Sequence, residues 1–119
     1  MRNMSFALTK AQILARTKTV TRRMNWQFLK PGDLLQPVEK CQGLKPGETV
    51  TPIGGPIRVV SVSRAPLNSI TPQDVFREGF PQMTKAEFVK FFKHSHRGCY
   101  VDTVVTRIAF EYVEGTETA

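Results

Sequence analysis

The chain has 119 residues, 40% of them hydrophobic, with 17 Lys and Arg against 10 Asp and Glu and a formal net charge of +7. That length fits one domain, and the apolar content excludes a disordered chain. No apolar run approaches the ~20 residues of a membrane-spanning helix, residues 4–8 are too short for a signal-peptide core, and two distant cysteines make no disulfide framework, so a soluble cytoplasmic protein with no membrane partner is expected.

In chain order, Thr9 and Gln12 have the spacing of a capping box, and Ile13 and Leu14 supply a short apolar stripe, so residues 10–15 are predicted helical. The β-branched residues of 17–21 favour strand. Lys30-Pro31-Gly32-Asp33 is a turn signal, and a strand is expected over 34–39, with Pro37 placing it at an edge or a bulge. Residues 40–55, rich in Gly and Pro, are predicted to be a long loop. The clearest strand covers 57–64, with Val60 and Val62 on one face and Val59 opposite. Thr71-Pro72-Gln73-Asp74 has the cap, proline and acid of a helix start, and that helix should stop near Glu78-Gly79. A second capping box, Thr84 with Glu87, opens a helix through Phe88, Val89, Phe91 and Phe92, whose helical spacing marks them as core rather than as a base-stacking platform. A long strand over 101–112 follows, then a short acidic tail at 114–119. The pattern predicts one α+β domain over residues 1–113, a small, partly closed, mixed or antiparallel β-barrel with about three short helices.

The positive charge is clustered. Arg2, Lys10, Arg16, Lys18, Arg22, Arg23 and Lys30 all precede the first acid, Asp33, and the ten basic residues after it balance the ten acids. A one-signed segment in a folded domain points to a phosphate-facing surface; the alternative is a solvated basic face without a ligand.

The stretch Arg16-Thr17-Lys18-Thr19-Val20-Thr21-Arg22-Arg23, set between a short helix and the turn at 30–33, resembles the signature of the ASCH domain family, a branch of the PUA-like superfamily. Arg77-Glu78-Gly79-Phe80, the Glu87-Phe88 pair and the terminal Phe110-Glu111 follow in that family's order, so the resemblance covers residues 5–113. It implies a β-barrel with a positively charged cleft and an association with RNA or with nucleosides and nucleotides, and it implies no cofactor. Bacterial amidohydrolases of this family act on N4-acetylcytidine with a Lys, a Thr three residues later and a Glu. By position these match Lys18, Thr21 and Glu78, and Arg22 matches the closing basic residue. The 40–55 loop and the second arginine, Arg23, depart from that pattern. Other members imply a non-catalytic RNA-binding module or a ribonuclease, and a protein-interaction domain is a further alternative.

The residues support that chemistry on their own terms. A threonine hydroxyl needs a base before it is a useful nucleophile, and a lysine serves when burial or nearby cations disfavour its charge. Arg16, Arg22 and Arg23 are near Lys18 in sequence, and Glu78 could orient the lysine or protonate a leaving amine. Residues three apart in a regular strand face opposite sides, so Lys18 is expected in a helix-to-strand corner if it is to share a cleft with Thr21. Arg16, Arg22, Arg23 and Trp26 are the candidate nucleoside-binding residues, with Trp26 either stacking on a base or plugging the barrel. His94, His96, Cys99 and Cys41 are of zinc-ligand type but lack a regular spacing, so no metal site is assigned. The flanking Lys90, Lys93 and Arg97 fit a phosphate-contacting rim better.

Overall fold

The computed structural model describes residues 1–40 and 44–113. Nine residues rich in β-branched and aromatic side chains form β5 (Val104–Tyr112), which pairs along both edges. Antiparallel to it lie β4 (Ile57–Pro66) on one side and the short β2 (Val20–Arg23) on the other. β3 (Leu34–Val38) adds antiparallel to β4, and β1 (Arg2–Ser5) adds parallel to β3, giving the order β1-β3-β4-β5-β2. The five-stranded sheet is therefore mixed, as expected. Among the described residues β1 and β2 are its two edges and do not pair, so the sheet is open where the sequence predicts partial closure. The sequence gives no signal for β1, whose four residues (Arg-Asn-Met-Ser) are mostly polar.

Three helices cover the sheet: α1 (Lys10–Leu14), α2 (Pro72–Arg77) and α3 (Lys85–Ser95). Thr71 caps α2 by accepting from the Asp74 amide, and the Thr84–Glu87 box caps α3 in both directions. Thr9 makes no such bond at α1; Gln12, its predicted partner, donates instead to the Gly79 carbonyl at 3.3 Å.

Two further expectations change for local reasons. Val60 is half exposed, whereas Val62 packs into the core with Val59, because a bulge between Val59 and Ser61 resets the alternation of β4. Pro37 stands on an interior strand, yet β4 pairs only with Leu34 and Leu35; past that point the loop takes over, with Ile53 N–H donating to the Pro37 carbonyl. Residues 44–55 are irregular apart from a bridge between Val38 and Pro52; Cys41 and the tail at 114–119 lie outside the described residues.

Period-two alternation sends Ile108 and Phe110 to one face of β5 and Val105 to the other. The first face builds a core with Met4, Phe6, Leu35, Ile57 and Val59. The second packs under the helices with Leu67, Ile70, Val75, Phe88 and Phe92. Among the described residues no helix is long and apolar enough to cross a membrane.

Candidate active site

The chain leaves α1 through Arg16, which takes a left-handed backbone (φ 59°) and turns the segment towards β2. The corner is pinned from three sides: Thr17 N–H donates to the Gln12 carbonyl, Thr19 N–H to the Arg77 carbonyl, and Phe110 N–H to the Thr19 carbonyl. Lys18 lies in this corner, ahead of the first residue of β2. The Tyr112 hydroxyl donates to its carbonyl at 2.6 Å, and burial holds that phenol up at about 12.

Lys18 is 3% exposed. Its Nζ donates to the Glu78 carbonyl at 2.8 Å and to Glu78 Oε1 at 2.9 Å. Burial pushes the lysine below its ordinary range; Glu78 opposes this, and the Arg23 and Arg22 charges add to it. Glu78 caps the C-terminus of α2, and its other oxygen accepts from Arg22 Nη1 at 3.1 Å. Gly79 follows at φ 99°, where a Cβ would stand 2.8 Å from Gln12 Cγ and 3.5 Å from Lys18 Cβ. Only glycine lets the end of α2 approach the lysine corner this closely.

Asp74, one turn earlier on α2, anchors the other side of Arg22. It accepts from Arg22 Nη2 (2.6 Å), from Arg107 Nε (2.6 Å) and Nη2 (3.1 Å), and from Arg77 Nη1 (3.0 Å). Burial alone would raise its carboxyl, but hydrogen bonds from Arg107, Arg22 and Arg77 outweigh it and hold Asp74 well below the carboxylate range. Among the described residues no buried side-chain nitrogen or oxygen lacks a partner.

These groups form one wall of a cleft of about 210 Å³ that Lys18, Thr21, Arg22, Arg23 and Glu78 all line. Thr21 is 3% exposed, and its Oγ1 accepts from Arg23 Nε at 3.1 Å. Aromatic side chains line the same cleft, Phe6, Phe80, Phe88, Phe91 and Phe92 among them, with His96 stacked on Phe92 at 3.9 Å. His96 Nδ1 lies 2.9 Å from the Phe92 carbonyl; since a carbonyl only accepts, the proton is on Nδ1. Phe88 and Phe92 thus belong to the core, as their spacing predicts, and also floor the cleft.

Of the seven site residues expected from sequence, five line this cleft. The other two lie outside it: Arg16 is exposed with its guanidinium 5.3 Å over the Tyr112 ring, and Trp26 packs against the first core beside Phe28. Sequence reasoning missed Asp74 as an arginine anchor, taking it only as a first-turn acid. It also missed Arg107, which faces Arg22 only through the β2–β5 register. Among the described residues no three His, Cys, Asp or Glu side chains are grouped to hold a metal; Cys99 is buried, with its thiol towards the Tyr100 carbonyl.

No family model matches the sequence, and no curated protein does. The fold has counterparts among solved structures. Protein EF3133 from Enterococcus faecalis V583, of the family model DUF984, is 19% identical with a TM-score of 0.67 over 94% of this chain and 75% of its own. An ASCH domain from Lactobacillus crispatus JV V101 is 17% identical with a TM-score of 0.60 over 92% of this chain and 77% of its own. At these identities the likeness is one of fold: the chain shares the α+β architecture of the ASCH domain structure.

Proposed function

We propose that this ASCH-fold chain binds a nucleoside, free or in RNA, in the Lys18–Thr21 cleft and hydrolyses the amide of an N4-acylated cytosine there. The observation that carries the reading is a desolvated lysine held below its ordinary range in the same cleft as a threonine whose oxygen already faces an arginine. Burial that disfavours the charged lysine makes it a better base, and a guanidinium on Oγ1 favours the alkoxide. At about 210 Å³ the cleft is smaller than the roughly 300–1,000 Å³ that enclose drug-sized ligands, so it suits a single base with its acyl group. An aromatic wall offers that base a stacking face.

In this reading Lys18 takes the Thr21 proton while Oγ1 attacks the acyl carbon. The carbon–nitrogen bond then breaks, the departing N4 amine takes the proton from Lys18, and water hydrolyses the acyl-threonine ester. Glu78 positions rather than protonates, because one oxygen accepts from Lys18 Nζ and the other from the Arg22 guanidinium. Incubating the protein with N4-acetylcytidine should release cytidine, and Thr21→Ala should lower turnover by at least ~10³-fold. Equal turnover by Thr21→Ala removes the nucleophile from the account, and no cytidine from the unaltered chain removes the hydrolysis.

One observation favours a second reading. Lys18 and Arg22 are both satisfied by Glu78, and Arg22 also by Asp74, which is how a purely structural ion network looks. The chain would then bind RNA without altering it. Retention on RNA at low salt, with no chemistry on the acylated nucleoside, is its signature.

A further inference from the structure

A second cation–aromatic assembly stands outside the cleft. Trp26 and Phe28 stack with ring centroids 5.4 Å apart and planes tilted by 32°, and the Arg2 guanidinium sits 4.8 Å over the Phe28 ring. Phe28 is 54% exposed and Arg2 is exposed as well, so the outer face of this ladder meets solvent. Trp26 holds a left-handed backbone (φ 74°), a conformation that bulky residues rarely adopt. Arg2 opens the edge strand β1 and Ser5, which lines the cleft, closes it about 10 Å away; residues three apart face opposite sides, so the ladder stands on the face away from the Ser5 side chain. Next to Ser5, Arg23 repeats the motif, with its guanidinium 4.7 Å over Phe6.

From this geometry we infer that the Arg2–Phe28–Trp26 ladder stacks an unpaired base of a single-stranded nucleic acid. Guanidinium planes and aromatic rings both stack on bases, which are available only in single strands, and the local positive charge complements the phosphates between them. The inference draws on the nucleic-acid part of the reading above and is independent of hydrolysis. An unmodified oligouridylate carries no acyl amide, so its binding is read without hydrolysis, and Trp26 emission with the ladder variants separates the ladder from the cleft, while release of cytidine from free N4-acetylcytidine tests the cleft.

Trp26 is the only tryptophan, so its emission reports on the ladder directly. Titrating the full chain with a single-stranded oligouridylate should quench that emission. Phe28→Ala should weaken binding about tenfold or more. Arg2→Ala should weaken it too, and should flatten the dependence of log K on log salt by about 0.7. Both positions are exposed, so neither variant threatens the fold. Binding that leaves Trp26 emission unchanged, or affinities unaltered in both variants, overturns the inference. Equal quenching by polyglutamate also overturns it and assigns the surface to an acidic protein.

Discussion

Asp74 and Arg107 show what the residue scale adds. Taking a charge out of water costs several kcal/mol, so Lys18, Arg22, Asp74 and Glu78 can stay buried only as a satisfied set. Asp74→Ala removes one of the two carboxylates that hold buried Arg22 and the carboxylate that Arg107 bonds, and should cost ~3–5 kcal/mol in urea unfolding. Glu111→Ala, which breaks the exposed Arg58–Glu111 pair, should cost less than ~1 kcal/mol. Equal losses would mean that the buried network does not hold the fold. Lys18 and Thr21 were legible because they sit in one contiguous motif at a fixed spacing. Asp74 was not, since its partners come from β2 and β5 and meet it only after the sheet has formed.

At the element scale, ends were easier to read than faces. α2 and α3 announce themselves through Thr71 and Thr84, whose side chains cap neighbouring amides and so act within a few residues. The phase of β4 was illegible because a bulge belongs to a pair of strands, and the partner's register is not written in residues 57–64. The mostly polar β1 carries no period to read. The junction after α2 shapes the cleft, since Gly79 lets Glu78 reach the lysine corner. Gly79→Ala should cost ~1–3 kcal/mol from its φ of 99° alone. It should also lower turnover, as the added carbon presses on Gln12 beside Lys18. Thermal unfolding and the nucleoside assay check both, and an unchanged variant would show that the close approach is dispensable.

For the whole molecule, two buried groups make testable contributions to the response to pH. Asp74 is depressed in the fold, so its contribution to stability is present at neutral pH and is lost as pH falls below about 4. An acid titration followed by circular dichroism should show that loss, and Asp74→Ala should flatten it. Lys18 works in the opposite sense. Its charged form is disfavoured in the fold, so the folded state releases the proton first. Stability then rises with pH between the lowered value and the ordinary lysine value. In the proposed hydrolysis the same proton would set activity, because only neutral lysine can take the threonine proton.

The pH dependence of kcat/KM on N4-acetylcytidine, compared between the unaltered chain and Lys18→Arg, therefore meets the central claim most directly. Activity should rise with pH and level off below the ordinary lysine range. Lys18→Arg, which cannot deprotonate, should lose ~10²–10⁴-fold at every pH. A flat profile, or an arginine variant as active as the parent, would contradict the buried lysine as the base.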